Sequence, residues 1–210
     1  MPMVLILLGL GGAGWWFFKR KSDDSDDSGD DQADAGAAPG DDASVSPIQS
    51  GGDDVTGAFT SQRYAPRSQA AYDLFTAAAQ QAGLPVDWAT SEALHWILQH
   101  ESGGWVGIPN LQFGSYANPG QKDQWQTIWR AIQSGNWRNF IDADKYPHDK
   151  QSSATGLGQL TASNIPKYYP SGLQGIGVPL EEAIGFMKYI QDRYQTPEAA
   201  QAFWQAHNWY

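Results

Sequence analysis

From about residue 59 onward, apolar residues recur with the 3.6-residue period of amphipathic helices, and no segment shows the sustained alternation of a strand. The pattern predicts helices over residues 68–82, 87–101, 121–134 and 180–194. A further helix should begin at Pro197, because Thr196 is a favoured N-cap and proline is favoured at the first helical position. This region is therefore predicted to be a mostly α domain of five or more short helices.

Each predicted helix has one apolar face that should pack into the core. Asp87 is expected to cap the second helix, and Gly83 and Gly135 should end the first and the third. The residues expected on the packed faces are Tyr72, Phe75, Ala79, Ala82, Leu94, Ile97, Leu98, Trp125, Ile128, Trp129, Ile132, Ala183, Met187, Ile190 and Tyr194.

A different apolar pattern stands at the start of the chain. Residues 3–18 carry no charge, end in four aromatic residues and are followed at once by three basic residues. As a helix this stretch would be about 24 Å long, against roughly 30 Å for the hydrocarbon core of a bilayer, and its aromatic and basic end can reach the headgroups. Residues 1–21 are therefore predicted to be a transmembrane anchor in a lipid membrane. A cleaved signal peptide would carry its charge before the apolar run.

The net charge of the 210-residue chain is −10, and nearly all of it lies between the anchor and the helical region. Residues 22–57 contain eleven aspartates and no base, and their Asp, Ser, Gly, Ala and Pro composition predicts a disordered linker. Residues 58–210 contain ten basic and twelve acidic residues. Because this domain has no basic excess, nucleic acid is not an expected partner.

The residue types present limit the chemistry. The chain has no cysteine, which excludes disulfides, thiolate catalysis and cysteine-based metal centres. His95 and His100 lack the i, i+4 spacing of a helical zinc site, and His148 falls in a predicted loop. All three are interpreted as ordinary core or surface histidines, and no metal or cofactor is predicted.

Glu101 is the first candidate for chemistry. It ends the second predicted helix on the line of Leu94 and Ile97. Desolvation on an apolar face and the negative end of the helix dipole both favour a protonated carboxyl, as a general acid requires. Gly103 and Gly104 follow, and glycines there would end the helix and let a ligand approach the backbone.

Two further clusters lie later in the chain. Residues 152–161, Ser-Ser-Ala-Thr-Gly-Leu-Gly-Gln-Leu-Thr, predict a glycine turn leading into a short helix. Residues 203–210, Phe-Trp-Gln-Ala-His-Asn-Trp-Tyr, form an aromatic ending. Such a cluster suits stacking on sugar rings if it is exposed, although aromatic residues are more often buried in the core.

The order and spacing of these three elements resemble the lysozyme-like lytic transglycosylases of the SLT type. In that family a Glu-Ser pair ends a helix and carries the catalytic acid, a Gly-Leu-x-Gln motif follows, and a late helix brings an aromatic residue to the site. The matching elements here are Glu101-Ser102, residues 156–159 and residues 199–210. The aromatic ending and residues 152–155 look most like the transglycosylase domains of phage tail and virion proteins.

The chain departs from the family pattern in two places. About fifty residues separate Glu101 from the Gly-Leu-x-Gln motif, which is longer than usual, so residues 106–151 are predicted to be an inserted helical lobe. Where many relatives carry tyrosine before asparagine, this chain has Trp204 before Gln205.

The resemblance implies that residues 58–210 form a lysozyme-like transglycosylase domain acting on the glycan strands of peptidoglycan. Glu101 would cleave the β-1,4 bond between N-acetylmuramic acid and N-acetylglucosamine, first as acid and then as base, with no metal or cofactor. The substrate-binding residues that it implies are Ser102, Gly156, Leu157, Gln159, Trp105, Trp204, His207, Asn208 and Trp209. Of these, Ser102 and Gln159 would orient Glu101 or the acetamido group.

Two other functions stay open. A hydrolytic muramidase, as in lysozymes and endolysins, would need a second carboxylate to activate water, and Asp142, Asp144 or Asp149 could supply it. A non-catalytic virion structural protein could keep the fold and only bind glycan, although the intact motifs argue against this.

The basic flank of the anchor predicts the setting. The positive-inside rule places everything after residues 19–21 on the cytoplasmic side of a bacterial inner membrane. A cell-wall enzyme on that side suits a phage whose internal membrane derives from the host, because the cytoplasmic face then becomes the outer face of the vesicle under the capsid. The protein is therefore predicted to be virion-associated, with virion proteins as further partners. The alternative is a bacterial envelope transglycosylase whose anchor violates the rule.

Overall fold

The computed structural model describes residues 62–208, and this part of the chain is mostly helical, as predicted. Isolated bridges join Arg63 to Trp105 and Thr155 to both Pro109 and Leu160, and no longer strand pairing occurs within these residues. The α-helices are α1 Gln69–Ala82, α2 Glu92–Glu101, α3 Trp125–Gln133, α4 Ile165–Tyr168, α5 Pro179–Tyr194 and α6 Pro197–His207. The 3₁₀ turns between them are Val86–Thr90, Leu111–Ala117, Pro119–Gln124, Trp137–Phe140, His148–Lys150 and Gly172–Gly175.

Several predicted features fall outside residues 62–208. They are the anchor at residues 3–18, the linker at residues 22–57, and Trp209. Between residues 62 and 208, no helix combines the length and apolarity needed to cross a membrane.

The C-terminal end of α1 at Gly83 and the N-cap of α6 at Thr196 are as predicted, and Ser68 is the N-cap of α1. The Ser68 hydroxyl accepts the Ala71 amide at 3.2 Å, and the Thr196 hydroxyl accepts the Ala199 amide at 3.2 Å. Gly83 closes α1 in the left-handed region, with φ at +67°. Local sequence therefore specifies these boundaries.

The start of α2 differs from the prediction. Asp87 lies inside the 3₁₀ turn Val86–Thr90 and caps no α-helix, whereas the Ser91 hydroxyl accepts the Leu94 amide at 3.3 Å. Ser91 takes this role because its backbone is extended where the turn ends, and its hydroxyl also donates to Glu198 of α6 at 2.9 Å. The cap of α2 is thereby linked to α6.

The inserted lobe (residues 106–151) is not separate from the rest of the domain. It contains α3 and 3₁₀ turns, and α3 starts at Trp125, later than predicted, because residues 119–124 form such a turn. The predicted packed face of α3 is buried, as expected. The buried side chains of α3 and Phe113 belong to the same apolar core cluster as buried side chains of α1, α2 and α5.

His95 is a core residue of α2, in agreement with its interpretation as an ordinary histidine. Its Nδ1 accepts the Arg67 amide at 3.1 Å, so the proton is on Nε2, which donates to the Ala89 carbonyl at 2.8 Å. Burial lowers the pKa of His95 and keeps the ring neutral. α6 also packs on α2, which brings the late aromatic segment to the end of α2.

Replacing Ser91 by alanine should lower the free energy of unfolding by about 1 kcal/mol, because α2 loses its N-cap. Asp87→Ala is the matched control and should change it by less than about 0.5 kcal/mol. Urea denaturation of both variants tests the assignment, and an equal loss in the two would contradict it.

Candidate active site

Glu101 is the last residue of α2, and its side chain is partly exposed. Its Oε1 accepts a hydrogen bond from the indole Nε1 of Trp204 in α6, at 2.7 Å. An indole N–H can only donate, so Oε1 acts as an acceptor whether the carboxyl is protonated or ionised. Because the carbonyl oxygen of a carboxylic acid is a better acceptor than its hydroxyl oxygen, this bond favours Oε2 as the site of the proton when Glu101 is protonated. The hydrogen bond joins two residues that are 103 positions apart in sequence, and it gives the carboxyl a defined orientation.

An aromatic cluster (Trp96, His100, Trp204) holds the indole in place. Trp96 and His100 are one turn apart on α2 and stack with their ring centroids 3.8 Å apart. Trp204 is 6% exposed and meets the edge of Trp96 at 5.0 Å and the His100 ring at 5.0 Å. The sequence analysis missed Trp96 and His100, although their i, i+4 spacing beside Glu101 was an available signal.

Ser102 ties the end of α2 to the motif turn (residues 155–160). Its side chain is fully buried, its hydroxyl donates to the Leu157 carbonyl at 2.8 Å, and it accepts the Gly104 amide at 3.2 Å. In this structure the hydroxyl faces protein groups and has no exposed surface for a ligand.

The motif turn is held by its own side chains. Gln159 is 4% exposed and adopts φ at +48°, a left-handed conformation that is strained for a residue other than glycine. Its Nε2 donates to the Ile108 carbonyl at 2.9 Å and to the Gly156 carbonyl at 3.1 Å. Leu157 is fully buried. The predicted substrate-binding residues of this motif thus lie in the interior and shape the turn.

The two glycines after Ser102 are approached by the chain itself. The Tyr64 amide donates to the Gly104 carbonyl at 2.8 Å, and Arg63 Nε donates to the Gly103 carbonyl at 3.1 Å. A Cβ on Gly104 would overlap the Tyr64 carbonyl oxygen. The close approach that was expected for a ligand is therefore taken by residues 63–64.

The remaining predicted glycan contacts are spread out. Trp105 is partly buried and packs edge-on to Trp125 at 6.1 Å, so it lies against the inserted lobe. His207 is exposed and stacks on Phe203 at 4.0 Å. Asn208, with φ at +61°, closes α6.

Glu182, in the first turn of α5, is fully buried and was missed by the sequence analysis. Its Oε2 accepts the amides of Gly107 at 3.0 Å and Leu157 at 2.9 Å, and its Oε1 accepts the amide of Gly177 at 2.8 Å. A Cβ on Gly156 would lie 2.7 Å from the carboxyl carbon. Burial raises the pKa of Glu182 to about 7, while the three amides act in the opposite direction.

The site therefore combines one partly exposed carboxyl, which the aromatic cluster orients, with the buried motif turn that Ser102 joins to the end of α2. This arrangement can transfer protons to and from a ligand that reaches Glu101. No family model matches the chain, and neither do any curated protein or solved structure.

The free energy of unfolding should contain a contribution from Glu182 that is lost as the pH rises. The carboxyl binds its proton more tightly in the folded chain, where its pKa is about 7, than at its ordinary value of 4.5. The contribution is complete below pH 4.5, decreases between the two values, and amounts to roughly 3 kcal/mol at most. Tyr169, whose own pKa is raised by burial, and Glu181 are the ionisable neighbours, and Tyr169 stays neutral in this range.

Urea denaturation between pH 5 and pH 8 measures this contribution. His95 has the opposite sign, because its lowered pKa makes protonation unfavourable for folding. The difference between the wild type and Glu182→Gln therefore isolates Glu182. A difference that is independent of pH would contradict the assignment.

Gly156→Ala should lower the free energy of unfolding more than Gly135→Ala does. Both glycines have φ near +80°, at +81° and +76°, but only Gly156 faces the Glu182 carboxyl, whereas Gly135 faces open space. The left-handed backbone alone costs about 1–2 kcal/mol, and the overlap at Gly156 should add about 1–3 kcal/mol. Equal losses in thermal denaturation would show that the contact has no effect.

Proposed function

We propose that this protein is a peptidoglycan lytic transglycosylase with a lysozyme-like fold, in which Glu101 is the single catalytic acid and base. The proposal is supported most directly by the hydrogen bond between Glu101 and Trp204 at 2.7 Å. It joins the Glu-Ser pair to the late aromatic helix, and the Ser102 contact with Leu157 joins the same pair to the glycine motif. Three segments that are far apart in sequence are thus joined by hydrogen bonds to the Glu-Ser pair, whose glutamate is partly exposed.

The reaction begins with Glu101 protonated on Oε2. This proton passes to the glycosidic oxygen, the bond from that oxygen to C1 of the muramoyl residue breaks, and N-acetylglucosamine leaves as an alcohol. The N-acetyl oxygen of the substrate stabilises the cationic centre at C1. Glu101, now a carboxylate, takes the proton of the muramoyl C6 hydroxyl, whose oxygen bonds to C1 and forms a 1,6-anhydro ring. No water is consumed, and Glu101 ends protonated.

Trp204 supports both proton transfers in this scheme. Its N–H donates to Oε1 throughout, and such a bond is stronger when the acceptor is ionised. It therefore stabilises the carboxylate that exists between the two transfers. It also keeps Oε2 directed to the same place in both steps.

Hydrolysis by a second carboxylate has less support. Asp142, Asp144 and Asp149 are exposed residues of the inserted lobe. The Asp142 carboxylate accepts the amides of Asp144 at 3.1 Å and Lys145 at 3.3 Å, which engages it in its own turn. The one-carboxylate route is therefore the one proposed.

The proposed setting is a phage virion whose internal membrane holds the anchor at residues 3–18, with the domain used to breach the host cell wall at entry. The support is the order of the apolar stretch and the basic residues 19–21. Immunodetection should find the protein in purified particles. Detection in infected cells but never in particles would contradict this setting and favour a bacterial envelope enzyme.

Full-length protein should clear peptidoglycan in a zymogram and release muropeptides that carry the 1,6-anhydro ring. Mass spectrometry identifies this ring, because the product lacks the mass of one water. Glu101→Gln should abolish both signals, since the amide cannot donate the proton. Full activity in this variant would refute the role of Glu101, hydrated products would indicate a muramidase, and glycan binding without cleavage by the wild type would indicate a structural protein.

Trp204→Phe should lower turnover about tenfold or more, because the ring is kept but a hydrogen bond to a charged group is lost. Trp88→Phe is the matched control, since Trp88 is a partly buried tryptophan in the 3₁₀ turn before α2, and it should leave turnover unchanged. Initial rates of muropeptide release measure both variants. Equal rates in Trp204→Phe and the wild type would show that the indole N–H has no part in the reaction.

A further inference from the structure

We infer that Glu182 is a positioning residue, which sets the place of the motif turn and of the start of the inserted lobe relative to Glu101. The inference rests on the proposed function and deepens it, because it assigns a role in the same site to a residue that touches no reacting atom. Its basis is the set of hydrogen bonds that converge on the Glu182 carboxylate.

The carboxylate accepts hydrogen bonds from backbone amides of three separate chain segments. Gly107 is the second residue of the inserted lobe, Leu157 lies in the motif turn, and Gly177 lies in the loop before α5. Two amides share Oε2 and the third is on Oε1. Only a carboxylate offers acceptors on both atoms, since a glutamine in this position would turn an NH₂ group toward one of the N–H donors.

The hydrogen bond with Leu157 connects Glu182 to the candidate acid, Glu101, through Ser102. The Leu157 amide is held by Glu182 at 2.9 Å, and the Leu157 carbonyl is held by the Ser102 hydroxyl at 2.8 Å. Ser102 is fully buried and directly follows Glu101. A shift of the motif turn therefore reaches the residue next to Glu101 through two hydrogen bonds.

The hydrogen bond with Gly107 connects Glu182 to the inserted lobe. The Gly107 carbonyl accepts the Trp129 indole N–H at 2.6 Å and the Thr155 hydroxyl at 3.2 Å. A Cβ on Gly177 would lie 2.5 Å from the Trp129 ring, and one on Gly107 would overlap it as well. The Trp129 ring thus packs against two glycines whose amides both bond to Glu182.

A positioning role differs from a purely structural one in what it changes. Loss of a structural contact lowers stability and the folded fraction, but each folded molecule still turns over substrate at the normal rate. Loss of a positioning contact lowers kcat in the folded enzyme, because displacement of a catalytic group by about 1 Å can reduce the rate 100-fold. KM should change little, since Glu182 is fully buried and cannot contact the glycan.

The test compares Glu182→Gln with Glu181→Gln in the full-length protein. Glu181 lies in the same turn of α5 and also binds a loop, because it accepts the Ser171 amide at 2.8 Å and the Ser171 hydroxyl at 2.6 Å. On soluble glycan strands at pH 8, where Glu182 is ionised, Glu182→Gln should lower kcat about 10- to 100-fold with KM within about twofold of the wild type. Glu181→Gln should keep both constants, and circular dichroism confirms that each variant is folded.

A second measurement does not require an active or mutated enzyme. Selective ¹⁵N labelling of glycine and leucine in the full-length protein reports the amides of Gly107, Leu157 and Gly177. Across pH 5 to 8 these three amides should shift together with one common midpoint, because one carboxyl binds all three. The Gly135 amide, which bonds to the Ile132 carbonyl, is the control and should not follow that midpoint.

The outcomes separate the inference from the proposed function. A folded Glu182→Gln variant with wild-type kcat, or three amides without a common midpoint, overturns the inference and leaves the proposed function intact. A wild type that cleaves no glycan overturns the proposed function and the catalytic meaning of Glu182 with it. If Glu182→Gln does not fold, the amide titration of the wild type decides whether one carboxyl holds the three segments.

Discussion

Burial of the Glu182 carboxyl is the constraint on which the rest of this structure depends. An unpartnered carboxylate in a protein interior costs several kcal/mol, so its acceptor positions have to be filled. In this fold, three backbone amides donate to the carboxylate. Each amide can reach it only if its chain segment passes through one defined position. The requirement of one side chain therefore sets the course of three loops.

The glycines at these places follow from the same constraint. Gly107, Gly156 and Gly177 all have φ between +70° and +85°, and a Cβ on any of them would meet either the Glu182 carboxyl or the Trp129 ring. Glycine is needed here for two reasons at once, the left-handed backbone and the absent side chain. The glycine motif is thus part of the packing around Glu182 as much as a feature of the candidate site.

The candidate acid is held in a different way. Glu101 is partly exposed and accepts an indole N–H that stacked rings support, whereas Glu182 is buried and accepts three backbone amides. Under the proposed function this division is useful, because an acid must reach its substrate and exchange a proton, while the backbone behind it must not move. Ser102 connects the two arrangements through Leu157.

The sequence by itself determined the helical class, most packed faces, the end of α1 at Gly83, the N-cap of α6 at Thr196, and Glu101 as the residue at the end of α2. Periodicity and capping act within one or two turns of the chain, so local sequence is enough to specify these features. The start of α2 was predicted wrongly, because Ser91 is its N-cap and Asp87 is not. The Ser91 hydroxyl also bonds to Glu198 on α6, and local sequence does not show this contact. Only the tertiary structure decided that Trp204 donates to Glu101, that Ser102 faces Leu157, and that Glu182 joins three loops. A glutamate in the first turn of a helix has the same local sequence pattern whether its side chain is solvated or buried. Its hydrogen-bond partners depend on which loops the tertiary fold places next to it.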